Sequence, residues 1–379
     1  MFCEKIFILL LFLFLTPTHS HQGHDDTPKD SLLQNISRSA HFFNKIFSVL
    51  GVILISFHLL ILTKKSMRIS SVNSIMIGIA ICDLLSMGNM VRSEFFEINL
   101  QGTHCKPPAS LRLTQFNWFL TSFHTGLRRC SFWLGVIIVL VRYLIITNVL
   151  KNSFRFSCPK FGYRISIISF LLSTILSVLF FFQYQFVEIS KWAPGLDCGL
   201  ESIYLESRNY PEFSVYGRLC NEFSAIHDGL FHRIQAVIEG IFGKFIPCVL
   251  LPVLTMMLIM KLRSSDQNAA RNQKKDRATV IVIFIAITYL LTELPLAFVY
   301  LADAIWHYDK NAQTIIKHLE LLCNAIYTAT ASIDCVICFV MSTAYRKTVR
   351  ELLPRRLYFF DKTTNLPASK QSRLSRITP

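Results

Sequence analysis

A chain of 379 residues that is 52% hydrophobic and 13% aromatic, with mean hydropathy +0.42, is too apolar for a soluble protein of this length, which would be more polar and would divide into two domains. The net charge of +15 does not require nucleic acid, because the cations gather in short loops between apolar runs and so report membrane orientation. The runs are therefore measured against the about 20 residues needed to cross about 30 Å of hydrocarbon.

In chain order, Ile6 to Leu15 is a short apolar run behind Lys5 and ahead of a polar stretch. It reads as a secretory signal peptide, residues 1–20, with a retained anchor as the alternative. An extracellular segment, 21–43, carries the N-x-S/T sequon "NIS" at Asn35, a glycosylation site if it lies outside. Seven apolar runs follow: Ile46 to Thr63, Ile69 to Val91, Leu113 to Val141, Ile165 to Val187, Phe245 to Met260, Ala278 to Ala302 and Leu321 to Tyr345. Pro247, Pro252 and Pro295 do not forbid helices in such a bundle, since packed neighbours satisfy the freed carbonyls. The fold class is thus an all-α membrane protein, a seven-transmembrane helix bundle over 44–345, followed by an amphipathic helix and tail over 346–379.

Loop charge sets the orientation. Lys64, Lys65 and Arg68, then Lys151, Arg155, Lys160 and Arg164, then six Lys/Arg against two Asp in Lys261 to Arg277, and then the tail all fall on one side of the count. That side is cytoplasmic, which puts the amino terminus outside and the carboxyl terminus inside. The long outer loop, Glu188 to His232, carries seven Asp/Glu against Lys191, Arg208 and Arg218. It is either a solvated loop or a field that attracts cationic ligands. Of eleven cysteines, only Cys105, Cys198 and Cys220 reach the oxidising side. One disulfide and one leftover are expected, and Cys105 with Cys198 best ties the third helix to the acidic loop. "RKTVRELLPRR" after the seventh run reads as an amphipathic helix lying on membrane lipid.

Charges inside the runs are few, and they are costly unless they face the bundle interior with partners. Asp83 lies about ten residues into its run, roughly 15 Å deep at 1.5 Å per residue. With Ser131 and Asp334 it can form one polar chamber. That chamber holds either a cation or only mutual hydrogen bonds. Arg128 lies fourteen residues outward from Arg142 and within about 40° of its face, so it points into the bundle, whereas Arg129 packs laterally. Glu94 shares the face of Asp83, and Glu293 and Glu320 add acids on the sixth and seventh helices. These groups either serve a ligand or form structural ion pairs such as Arg128 with Glu94 or Glu293.

The order of these motifs resembles a known family. "IAICD", "VRY", "TELP" and "SIDCVIC" in the second, third, sixth and seventh helices are similar to those of a rhodopsin-class G-protein-coupled receptor. "LTKKSMRISSVNSIMIGIAICDLLSM", "CKPPAS", "RRCSFWLGVIIVLVRYLIITN", "IPCVLLPVLTMMLIMKLR" and "FVMSTAYRK" are closer still to the nematode serpentine receptor class w, relatives of FMRFamide-type peptide receptors. The resemblance covers Phe47 to Leu353. It implies that Asp83, Ser131 and Asp334 line a sodium pocket and that Arg142, with Tyr143 beside it, meets a heterotrimeric G protein. It also implies that Pro247 and Pro295 bend their helices. The chain departs from that pattern at Val141, which replaces an acid, at Ile55, at Glu293, which replaces a tryptophan, and at Thr255, Cys335 and Cys338.

His124 stands at about the depth where amine receptors of this class carry an aspartate, which disfavours an amine. A mixed-charge pocket of Arg128, Glu94, His124, Glu293 and Glu320 under an acidic loop suits a short extracellular peptide. The rival reading is a transporter or channel, which also uses intramembrane charge, but no inverted repeat supports it. No enzyme motif is present: there is no H-E-x-x-H in a membrane helix, no G-x-S-x-G, and no Ser/His/Asp set that the topology would gather. The expectation is a multi-pass plasma-membrane protein that is not an enzyme.

Overall fold

The structure is a computed structural model, and it describes residues 28–95, 106–147, 156–193, 213–220, 230–264, 269–306, 309–341 and 343–352. Among these residues six helices are long and apolar enough to cross a membrane: Asn35–Leu62, Ser71–Phe95, Leu111–Thr147, Pro159–Phe181, Leu230–Lys261 and Ala286–Ile305. A further helix, Lys310–Met341, packs between the first and sixth and makes the seventh span. A short helix, Thr343–Leu352, follows it.

The spans close into a ring with the third near its centre. The third span packs on the second, fourth and fifth, and touches the sixth. Its burial follows from that place: Leu127, Cys130, Ser131, Phe132, Leu134 and Val136 are all sealed from solvent. The fourth span is peripheral. It buries mainly small polar residues, Ser169, Ser173 and Ser177, while Leu171, Leu172 and Ile175 face outward. Large apolar side chains on the outside are what hydrocarbon solvates best, so this inverted surface is the membrane-facing one.

Several boundaries differ from the sequence reading: the first helix begins at Pro28, inside the segment expected ahead of the bundle, the sixth at Ala269 rather than Ala278, and the seventh at Lys310 rather than Leu321. The fourth helix stops at Phe181 rather than continuing to Val187, and the chain enters a strand, Tyr184–Trp192. Hydropathy falls at Gln183 and Gln185, and a roughly alternating segment, "YQFVEIS", replaces helical periodicity. This strand (β1) pairs antiparallel with Phe213–Cys220 (β2), with an irregularity between Glu188 and Ser190. The loop expected as merely acidic therefore contains a hairpin. Arg218 of β2 lies over Trp118 of the third span at 4.4 Å from the ring centroid, which fastens the hairpin to the bundle.

The fifth span begins at Leu230, well before the expected Phe245, and takes in His232, Glu239 and Lys244. Its first helix, Leu230–Ile238, passes through a π-helical segment, Glu239–Phe245, into Ile246–Ser264. Pro247 has no N–H to return to Gly243, and its ring crowds that carbonyl, which favours the wider turn. Ile246 N–H instead donates to Ile241 O, five residues back.

At the opposite end from the hairpin, the Thr343–Leu352 helix docks on the first span. Tyr345 is 1% exposed, and its hydroxyl lies 2.9 Å from His58 Nδ1. Thr348 hydrogen-bonds Ser66 at 3.2 Å. Tyr345 and Val349 complete the apolar cluster of the first, second and seventh spans, so packing anchors this short amphipathic helix to the bundle.

Candidate functional site

The centre of the bundle is built around one carboxylate. Glu293 of the sixth span is fully buried. Arg128 Nε of the third span donates to its Oε1 at 2.9 Å, and Lys244 Nζ of the fifth lies 2.6 Å from its Oε2. Arg128 Nη1 donates to Asn324 Oδ1 of the seventh span at 2.5 Å, and the guanidinium lies 4.0 Å above the Tyr327 ring centroid. Four spans thus meet at one ionic node. Of the two pairings open in the sequence, Arg128 takes Glu293. Glu94 turns the other way, accepting from Asn44 at 2.6 Å and lying 3.3 Å from His41, so it joins the second span to the first.

The π turn explains why Lys244 reaches the node. In an α-helix residues five apart differ by about 140° in direction. With i→i+5 bonding they come close to one face. Glu239 and Lys244, five apart, therefore both turn inward. Glu239 pairs with Arg129 through both Nε and Nη2, and Arg129 Nη1 donates to the carbonyl of Ser173 at 2.8 Å. Arg129 does pack laterally, but it is buried between the third, fourth and fifth spans in a second ion pair. Gly243 leaves the room this needs, since a Cβ there would sit 2.9 Å from Glu239 Oε1.

Toward the tail end lies a second polar layer. Asp83 is buried and accepts from Ser131 Oγ at 2.7 Å and from the Tyr327 hydroxyl at 3.4 Å. Ser131 also lies 3.4 Å from the hydroxyl of Tyr289, which stacks on Phe132. A small cavity opens beside Asp83, lined by Thr288, Tyr289, Thr292, Tyr327, Thr330 and Ala331. Tyr327 joins the two layers: its ring carries the Arg128 cation on one face, and its hydroxyl reaches Asp83.

The remaining predicted residues fall as follows. His124 is half-buried one turn outward from Arg128, with its Nε2 sealed from solvent. Glu320 is half-buried on the seventh span, one turn from Asn324. Arg142 and Tyr143 are half-buried near the tail end of the third span, and Tyr143 packs against the apolar cluster around Phe132 and Tyr289. Asn35 is exposed on the first helix. Asp334 lies in the seventh span, in a stretch whose side chains fall outside the described residues, and Cys105 and Cys198 lie outside them altogether.

Lys244, Glu239, Asn324 and Tyr327 were not singled out in the sequence. The signal for the first two was present, since each is a lone charge among apolar and glycine neighbours in "EGIFGKFIPC" just ahead of a proline. Those charges bound the apolar run, which the sequence reading begins at Phe245.

Comparison with known proteins agrees with this architecture. The family described as Serpentine type 7TM GPCR chemoreceptor Srw matches residues 42–356. The "Sex peptide receptor" of Drosophila melanogaster is 23% identical over 340 residues, covering 82% of this chain and 71% of that protein. A seven-span bundle matched by this family along most of its length leaves one conclusion: the chain belongs to the Srw family of serpentine, seven-transmembrane G-protein-coupled chemoreceptors, multi-pass membrane proteins that take an extracellular ligand and act on a G protein.

Proposed function

We propose that the chain is a plasma-membrane receptor for a short extracellular peptide, with its amino terminus outside and its carboxyl terminus in the cytoplasm. The ligand enters beneath the hairpin and acts on the Arg128–Glu293–Lys244 node, with His124 and Glu320 one turn outward. The observation that supports this most is the node itself: one carboxylate holds the third, fifth and sixth spans, and Arg128 adds the seventh through Asn324. A ligand that competes for those partners changes how four spans pack. The fly relative is named for a peptide, which favours a peptide here.

Arg142 and Tyr143, at the far end of the third span, contact the heterotrimeric G protein. The small cavity beside Asp83 suits a Na+ ion held with Ser131, and Asp334 joins that pocket. Cys105 and Cys198 form the outer disulfide, and Asn35 carries glycan. The test is a screen of short neuropeptides on cells expressing the chain with a promiscuous G protein and a calcium readout. A peptide that signals through wild type and loses potency in Arg128→Gln supports the reading. A hit whose potency is unchanged in Arg128→Gln moves the ligand site elsewhere.

A further inference from the structure

The node has more donors than acceptors. Arg128 presents five N–H donors and Lys244 three, and the direct ionic contact between them is one carboxylate, Glu293. Arg128 Nε and Nη1 are taken by Glu293 and Asn324, but its Nη2 is buried without an acceptor among the described residues. His124, four residues outward and within about 40° of the same face, also has a buried Nε2 without a partner. Both residues sit on adjacent turns of the central span. A buried polar atom with no partner costs stability, and native structures seldom leave one without a role.

Formal charge points the same way. Arg128 and Lys244 against Glu293 leave one positive charge in excess. The other acids near the node make no direct ionic contact with Arg128 or Lys244 among the described residues. Asp83 lies beyond the Tyr327 ring and is bonded to Ser131, and Glu239 is paired with Arg129. Glu320 lies one turn outward, acting on Arg128 only through the field. A cation in hydrocarbon with no anion of its own at contact distance is costly, and a guanidinium bonds a carboxylate more strongly than a neutral acceptor, because the bond is charge-assisted.

We infer that the ligand carries a carboxylate, which binds Arg128 Nη2 and the imidazole of His124 and competes with Glu293 for Arg128 and Lys244. This rests on the reading of the node as the floor of the ligand site and names the chemistry that the floor selects. Arrival of a second carboxylate beside Glu293 weakens the hold of Glu293 on Arg128 and Lys244. The same contact therefore serves recognition and loosening of the four-span junction.

The carboxylate can be a peptide's terminus or an acidic side chain, and the probes separate the two. The full chain in lipid nanodiscs would be melted with about 20 mM N-acetyl-phenylalanine, its neutral amide, or the α-methylamide of N-acetyl-aspartate, at constant ionic strength. One or both acids should raise the melting temperature by about 2 °C, while the amide leaves it unchanged. Arg128→Lys, which keeps the charge but loses the fork, should lose at least half of that rise. His124→Ala, which leaves every ion pair in place, should lose part of it and guards against misfolding of the first variant. Equal shifts with acid and amide, no shift with either acid, or acid shifts that survive both substitutions would overturn the inference. Activation by a peptide that has no carboxylate, undiminished in both variants, would overturn it while leaving peptide reception intact. Acid binding with no activating peptide would count against peptide reception alone.

Discussion

Replacing Glu293 by glutamine keeps the volume and removes the only carboxylate that, among the described residues, is in direct ionic contact with both Arg128 and Lys244. In the wild type the node carries a formal +1, from two cations and one anion. In the variant it carries +2 within the bundle centre. Glutamine can still accept from Arg128, but Lys244 loses its counter-charge. Removing one partner of a buried pair costs about 3–5 kcal/mol, because the other charge stays buried and uncompensated. If that cost fell evenly on all states, the melting temperature would drop by roughly 6–20 °C at about 2–4 °C per kcal/mol. The pair joins spans that must move during signalling, so part of the cost falls on the resting arrangement alone. A resting state favoured by about 3 kcal/mol is less than 1% active, and losing that preference makes it about half active. The assays are melting of the purified chain and basal G-protein activation in cells at matched surface expression. Lys244→Met added to Glu293→Gln returns the node to +1 and should recover most of the melting temperature. A Glu293→Gln protein that melts with the wild type, or a double variant no better than the single, would refute the reasoning.

Three further outcomes are expected. Arg129→Met should lower surface expression and melting by a similar buried-pair cost, about 3–5 kcal/mol, and Arg129→Met with Glu239→Gln should recover most of it, because the orphaned carboxylate is then gone; double-variant melting curves check this. Agonist affinity should fall as sodium replaces an inert organic cation in wild type, and this dependence should vanish in Asp83→Asn while folding survives; equal salt responses would leave Asp83 as a structural residue bonded to Ser131 and Tyr327. Cys105→Ala and Cys198→Ala should lose surface expression equally, with the double variant no worse; if Cys220→Ala matches Cys105→Ala and Cys198→Ala is silent, the partner is Cys220.

Most of the fold was legible because a membrane helix advertises itself by length and hydropathy. The second and third spans lie close to the expected Ile69 to Val91 and Leu113 to Val141. Legibility failed where charge and periodicity competed with hydropathy. Glu239 and Lys244 interrupt the apolar run, so hydropathy alone starts the fifth span at Phe245, although both charges are buried and paired. Phe186 and Val187 extend the apolar reading past the helix end, although Gln183 and Gln185 already break the run around the start of the strand at Tyr184. Of the site, Asp83 with Ser131 and Arg128 with Glu293 could be reached from depth and helical phase. Lys244 could not, because its direction depends on a π turn that shifts the phase. Tyr327 and Asn324 could not, because nothing local distinguishes a bridging tyrosine or asparagine from others on the same helix. The transporter or channel reading finds no support in the family the chain belongs to.

The central claim is that an extracellular peptide, acting on the Arg128–Glu293–Lys244 node, drives a G protein at Arg142. The most direct measurement is energy transfer between the subunits of a heterotrimeric G protein in cells expressing the chain, as a panel of short peptides is applied. The account predicts a peptide that dissociates the subunits through wild type, and an Arg142→Ala variant that still binds that peptide at the cell surface but leaves the heterotrimer intact. Undiminished G-protein dissociation in Arg142→Ala would contradict it.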